Sequence, residues 1–380
     1  MALAFKARIA IYNGDYATAA SAAKECMDLG VYKLHDNYET LFTDSWSDEW
    51  IFFFKGDVAL KQYYWASAQP KDLLPRNHGG YSSWNPGLEL VCTYTCTDGL
   101  PIDESPLYNP KSPFDNRDPR MGMTIIPFAT LYTPCVVDGT YKPEDWAFLG
   151  IEFTPDPTRT TVKRLSDGVY IGNNDSKARA EHAAYNGFVL KKFTTAAWKD
   201  NGYNGAPNAY PYLRYGDVLL MYAEAMIETG KCTQDVLDQT VNKLRERAYR
   251  GTGIAYPRAT VSTQEKMRTM IRIERTSELA IEGHRYEDLI RWRIAEVVFN
   301  RPIYYLSRAW SGSTSWNGDE SKVSDGYKQL IQNWRDGNYP IGGIPPIDEN
   351  GIADLKGMCD AGYIVKAADR KFNPDRDYLW

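Results

Sequence analysis

Glu274 and Glu278 stand four residues apart, and on a 3.6-residue wheel both fall in the arc occupied by Met267, Met270, Ile271 and Ile281. Two carboxylates on one helical face have Cβ atoms about 5 to 6 Å apart, compatible with the carboxylate pair of a retaining glycosidase. The same two residues also read as buried acceptors for Arg272, Arg275, Arg285, Arg291 or Arg293, because a buried carboxylate is either paired or protonated. The density of arginine favours pairing. Retaining glycosidases also usually take their two acids from different elements.

A second chemistry is carried by rings. Tyr63-Tyr64-Trp65 lies close to Lys71, Asp72, Arg76 and Asn77, and Tyr81-Ser82-Ser83-Trp84-Asn85 follows. A ring offers a flat apolar face to the C–H face of a pyranose, while neighbouring polar side chains bond its hydroxyls. Tyr63, Trp65, Tyr81, Trp84 and Trp146 are the expected stacking platforms, with Arg76 and Asn77 as polar partners. For any one ring the competing reading is packing, a Trp that pins its loop to the body of the protein.

Other chemistry finds little support. His35, His78, His182 and His284 have no metal-ligand spacing, and neither HExxH nor a nucleophile elbow occurs. The six cysteines form no CxxC; Cys92 and Cys96 alone are close, and whether they are bridged is open. Gly251-Thr252-Gly253 and Gly342-Gly343 read as turns, and Asn317-Gly318-Asp319-Glu320 lacks the alternating ligands of a calcium loop. No metal or cofactor is expected.

These residues need elements to place them. Nine Ala among the first 23 residues form two stripes, Leu3, Ala4, Ala7, Ala10 and Ile11, then Tyr16, Ala19, Ala20, Ala23 and Met27. Asp15 can cap the second helix and Gly30 can end it, which predicts a helical hairpin over 1–44 whose small residues let the axes approach. Residues 45–210 are rich in Pro, Gly, Asn and Asp and predict an irregular, aromatic-bearing region containing one buried strand, Trp50-Ile51-Phe52-Phe53-Phe54. Helices return over 211–300: 212 to 229, 236 to 248, 264 to 281, and 286 to 298 after Gly283. Residues 301–380 read as a second irregular region. The expected fold is mainly α, tetratricopeptide-like helix pairs (an α/α superhelix) wrapped by long irregular loops with a few short strands.

Composition narrows the function. Against 49 Asp and Glu stand 44 Lys and Arg, a net charge of -5, which argues against the cationic surface of a nucleic-acid binder. No apolar run approaches 18 residues, so no helical membrane span is expected. The chain carries 27 Tyr, 13 Phe and 11 Trp with a mean hydropathy of -0.49, so some rings must reach the surface, where they serve recognition.

Several segments in order carry a resemblance. Ala2-Leu3-Ala4-Phe5-Lys6-Ala7-Arg8-Ile9-Ala10 is followed by Gly14-Asp15-Tyr16, Asn116-Arg117-Asp118-Pro119-Arg120, Leu213-Arg214-Tyr215-Gly216-Asp217-Val218-Leu219-Leu220-Met221-Tyr222-Ala223-Glu224-Ala225 and Val241-Asn242-Lys243-Leu244-Arg245-Glu246-Arg247-Ala248. Ile273-Glu274-Arg275-Thr276-Ser277-Glu278-Leu279-Ala280-Ile281-Glu282-Gly283-His284-Arg285-Tyr286-Glu287-Asp288-Leu289-Ile290-Arg291-Trp292 completes the set. This ordered series resembles the SusD/RagB family of outer-membrane nutrient-uptake lipoproteins. The resemblance implies a non-enzymatic, surface-exposed protein that binds oligosaccharide or polysaccharide and passes it to a SusC-like, TonB-dependent transporter. It implies scaffold roles for the shared motifs, including Glu274 and Glu278, and transfers no site residue. It also implies a chain truncated at both ends, with the lipid-anchor segment ahead of Met1 and a Pro-containing tail after Trp380. A glycoside hydrolase and a helical scaffold that binds only protein remain the alternatives.

Overall fold

A computed structural model describes residues 1–44, 46–57, 59–62, 69–128, 130–132, 150–164, 167–176, 183–184, 186–194, 208–306, 325–337 and 342–377. The first two helices, α1 (Ala2–Tyr12) and α2 (Tyr16–Asp28), form the expected hairpin. Asp15 accepts a hydrogen bond from the Thr18 amide at 3.0 Å and caps α2. Ala4, Ala7, Ala10, Ala19, Ala22 and Ala23 are all buried between the helices, so the alanine stripes do what small side chains permit, a close approach of two axes.

Strand β1 (Trp50–Phe54) is present, but it is only half-buried, with Phe52 and Phe54 exposed. Side chains alternate across a regular strand, but the pairing register of β1 shifts on both sides of Phe52, so buried and exposed positions do not simply alternate. The short helices α3 (Gln69–Leu73), α4 (Leu88–Thr93) and α5 (Pro119–Thr124) follow, and then the two-stranded pairs of β2 (Thr130–Tyr132) with β3 (Ile151–Phe153) and of β4 (Thr161–Lys163) with β5 (Tyr170–Gly172). The partner of β1 is β6 (Tyr210–Arg214), antiparallel, with Trp50 opposite Arg214 and Phe54 opposite Tyr210. The helix expected from 212 therefore begins three residues later, as α6 (Tyr215–Glu228), because Tyr212, Leu213 and Arg214 are taken by the sheet.

Nearly every residue of α6 is buried, and it is packed on by α2 and by the later helices. Next come α7 (Gln234–Gln239) and α8 (Val241–Tyr249), broken at Thr240, whose hydroxyl donates to the Val236 carbonyl at 2.6 Å. Then α9 (Gln264–Glu278) stops earlier than its apolar pattern predicts, and α10 (Arg285–Arg291) and α11 (Ala295–Phe299) follow. The C-terminal part holds β7 (Ile303–Tyr305) paired with β8 (Val365–Ala368), together with α12 (Asp325–Arg335), α13 (Lys356–Asp360) and α14 (Pro374–Asp377). The result is the expected mainly helical architecture of tetratricopeptide-like helix pairs with short strands in the connecting regions. Cys92 and Cys96 are both buried free thiols, which closes the question of a bridge. Among the described residues no helix is long and apolar enough to cross a membrane.

An ion network joins the helical and irregular parts. Arg120 donates to Asp118, to Glu274 at 2.7 Å and to Glu278 at 3.0 Å. Arg214 reaches Glu49 at 2.6 Å, Glu278 at 2.8 Å and Glu282 at 2.7 Å, and Arg247 holds Glu49 and Glu278. Every one of these side chains is buried. Four charges drawn from segments up to 229 residues apart are thereby tied to the end of α9, and each is satisfied only in the folded arrangement.

Candidate functional site

The ion network removes Glu274 and Glu278 from consideration as a catalytic pair. Burial alone would raise the Glu278 carboxyl, but the guanidiniums of Arg247, Arg214 and Arg120 overcome it and hold the group below the usual carboxylate range. Glu274 accepts from Arg120 and from Arg245 at 2.9 Å. Neither carboxylate lines the main cleft, so neither can protonate or attack a bound sugar there.

The cleft itself lies where α9 ends. It has a volume of about 780 Å³, within the range of small-molecule sites. Its floor is formed by Leu279, Ala280, Ile281 and Gly283 of the turn that follows α9, with Glu282 turned into the ion network. Ile281 has φ +64° and Gly283 φ +84°. A β-branched residue in the left-handed region costs on the order of 1–2 kcal/mol, so something must hold it there. Lys192 Nζ donates to the Ala280 carbonyl and to the Glu282 carboxylate, each at 2.7 Å, and Arg214 donates to the Glu278 carbonyl at 2.8 Å. Buried cations thus grip the carbonyls on both sides and keep the floor rigid.

Three exposed or half-exposed rings line the same cleft. Trp84, 41% exposed, comes from the irregular region. Tyr286, 47% exposed, comes from α10 and lies 5.8 Å from Phe299, which in turn stacks on Phe372 at 6.0 Å. The Arg370 guanidinium sits 5.7 Å over Phe299, braced by the carbonyls of Arg301 and Val298. Glu89 on α4 and Arg285 on α10 add hydrogen-bonding groups to the wall. Flat apolar faces beside polar groups are what a pyranose requires.

Trp84 is delivered by a short, tight turn. The amides of Tyr81 and Ser82 donate to the carbonyls of Lys71 and Leu74, and those of Ser83 and Trp84 donate to the Asp72 carbonyl, folding residues 81–84 back against α3. A Cβ on Gly80 would lie 2.0 Å from the Leu74 oxygen, so no other residue fits there. Tyr81 is partly exposed beneath Lys71, whose ammonium is 5.9 Å from the ring centroid.

Of the four expected site residues that lie among the described residues, Trp84 alone is brought to the cleft. Arg76 donates to the Gly80 carbonyl at 3.2 Å and supports the turn, and Asn77 accepts from the Asn174 amide at 3.0 Å and donates its own amide to Asp175 at 3.3 Å. Tyr81 belongs to the same turn, outside the cleft lining. Tyr63, Trp65 and Trp146 lie outside the described residues. Sequence reasoning missed Tyr286, Phe299, Arg370 and Glu89. The available signal was Tyr286, a large ring set between the charged residues Arg285 and Glu287.

No group of three His, Cys, Asp or Glu side chains that could hold a metal ion occurs among the described residues.

Comparison with known proteins gives the family and the fold. The SusD family model matches residues 48–341. SusD-like protein P2 from Formosa agariphila is 37% identical over 103 residues, 26% of this chain and 20% of the relative. The crystal structure of a SusD-like carbohydrate binding protein from Bacteroides fragilis covers this chain completely at 25% identity with a TM-score of 0.66. A second SusD-like protein from Bacteroides fragilis, at 20% identity and a TM-score of 0.58, shares the fold. The chain spans 61% of the length of each of these solved proteins.

Proposed function

This chain belongs to the SusD family, and from that premise we propose that it binds glycans at the cell surface without transforming them. The bound oligosaccharide would be handed to a SusC-like, TonB-dependent outer-membrane transporter. The observation that carries the binding reading is the cleft at the end of α9, in which Trp84 and Tyr286 present accessible ring faces over a rigid, polar-edged floor. The solved relative described as a carbohydrate binding protein supports the same reading. A binder has no need of a poised acid, and the carboxylates nearest the floor are consumed by arginine. Its affinity per site is expected to be modest, because function depends on holding ligand beside a transporter rather than on tight capture.

Calorimetry against a panel of oligosaccharides tests this. Trp84→Ala and Tyr286→Ala should each weaken the best ligand by about tenfold, as expected for loss of a ring contact of about 1–1.5 kcal/mol. Unchanged affinity in both variants refutes the site. Release of reducing sugar by the purified protein would instead favour a hydrolase, and retention of a transporter partner with no affinity for any glycan would favour a protein-binding scaffold.

A further inference from the structure

Charge at the cleft is unbalanced, and one residue is responsible. Three arginines reach its lining: Arg275, Arg285 and Arg370. Arg275 is bonded to Asp288 through two nitrogens, at 3.0 and 3.1 Å, and to Asp217 at 3.1 Å. Arg370 has Glu89 at 3.6 Å. Arg285 has neither arrangement. Its Nη1 donates to the Thr276 hydroxyl at 2.8 Å, and no carboxylate lies within 4 Å of it among the described residues. His284, beside it, adds no compensating anion; burial depresses its pKa and leaves it neutral at pH 7.

The contrast with the neighbouring arginines is physical. Arg120, Arg214, Arg247, Arg275 and Arg291 each have adjacent carboxylates that outweigh the cost of burial and raise their pKa. For Arg285 burial wins, and the more distant charges of Asp288, Asp348 and Glu89 fail to offset it. A guanidinium that is half-buried, still charged and bonded on one nitrogen only keeps a planar donor edge for an incoming anion. Arg285 and Tyr286 both line the cleft, so a ligand there can meet the charge and the ring together.

We infer that the cleft selects an acidic glycan, with Arg285 receiving the carboxylate or sulfate of one sugar while Trp84 and Tyr286 stack on the pyranose faces. This specificity rests on the glycan-binding reading above and adds the chemical class of the ligand. Both anions are planar-edged or tripodal oxygen acceptors, and a guanidinium binds either.

The test uses matched probes: uronate oligosaccharides with their carboxyl-reduced forms, and sulfated oligosaccharides with their desulfated forms. The acidic member of at least one pair should bind ten or more times tighter, and the preference should shrink between 50 and 500 mM salt. Arg285→Gln should remove the preference, and Arg285→Lys should retain part of it. Because Arg285→Gln removes a half-buried side chain, a second variant leaves the arginine in place. Thr276→Asp supplies an internal carboxylate to the same guanidinium and should abolish the preference while raising the melting temperature.

Equal binding of acidic and neutral members, still sensitive to Trp84→Ala, overturns the charge assignment and leaves the glycan reading intact. An acidic preference that survives in both Arg285→Gln and Thr276→Asp also overturns it. Failure of every probe to bind overturns both readings. Whether the uronate or the sulfate pair shows the larger ratio identifies the anion.

Discussion

Replacing Glu278 by Gln is the sharpest perturbation available, because three guanidiniums converge on that one carboxylate. Arg120 and Arg214 donate at 3.0 and 2.8 Å, and Arg247 donates as well. Gln keeps the shape and one acceptor oxygen, but its amide group points donors at donors and its charge is gone. Breaking a buried pair by neutralising one member costs about 3–5 kcal/mol, since the remaining charges stay buried and uncompensated. An unfolding entropy of about 2.1 cal/mol/K per residue over 380 residues is roughly 0.8 kcal/mol/K, so the melting temperature should fall by about 4 to 6 °C. Chemical denaturation and calorimetry of the variant beside Glu25→Gln, an exposed glutamate on α2, measure this; the control should stay within about 0.5 kcal/mol. The pH dependence provides a second reading. Folding lowers the pKa of Glu278 from its ordinary 4.5, so its contribution is complete above that value and disappears as pH falls through the folded value. Wild type and variant should therefore converge in stability in acid. A loss below about 1 kcal/mol at pH 7, or a constant difference down to pH 3, would refute the structural role assigned to the network.

Gly80→Ala should detach Trp84 from its turn, because the new methyl meets the Leu74 carbonyl at 2.0 Å; the expected result is a drop in melting temperature together with weaker glycan binding in calorimetry. Asp175 is buried and its pKa is pushed up to about 7, so the unfolded chain releases its proton near pH 4 while the fold retains it, and stability is lost as pH rises from about 4 to 7. Asp175→Asn should remove that loss and make the protein more stable at pH 7.5 than wild type in urea titrations, whereas an unchanged pH profile would contradict it. Burial pushes the Cys92 thiol up to about 12, so thiol reagents at pH 8 should label it only at the rate of unfolding, which mass spectrometry of the labelled peptide can follow.

Local pattern and long-range partnership divide what could be read in advance. The α1–α2 hairpin was legible because its signals are adjacent: the alanine stripes recur every three or four residues, and Asp15 lies three residues from the amide it caps. Phe52 and Phe54 were harder, because the alternation of β1 is broken by register shifts in its pairing with β6, more than 150 residues away. The end of α9 was misread for the same reason. Leu279, Ala280 and Ile281 continue an apolar helical period, yet Lys192 and Arg214 take the Ala280 and Glu278 carbonyls and the Glu282 carboxylate, and those bonds outweigh one more turn of helix. Propensity is a matter of tenths of a kcal/mol per residue, and a buried charge-assisted hydrogen bond is worth more.

The site follows the same division with a consequence for specificity. Trp84 was identifiable as a surface ring from its polar surroundings, but its cleft requires Tyr286, Phe299 and Arg370, which lie 202 to 286 residues further along the chain. The segment that supplies Tyr286 reads as scaffold, and most of it is scaffold: Arg275, Asp288 and Arg291 are consumed by one another and by Glu224. Five arginines between 272 and 293 compete in sequence for the nearby carboxylates, and nothing in their spacing says which of them reaches the cleft without one. Arg275 and Arg291 are ion-paired and Arg272 bonds the Asn350 side-chain oxygen away from the cleft lining, whereas Arg285 lines the cleft with the Thr276 hydroxyl as its hydrogen-bond partner. A scaffold motif that leaves one such charge at the cleft can present it to a ligand without a dedicated loop. On this reasoning, neutralising that charge with Thr276→Asp should abolish the acidic preference while leaving the fold of α9 and α10 intact.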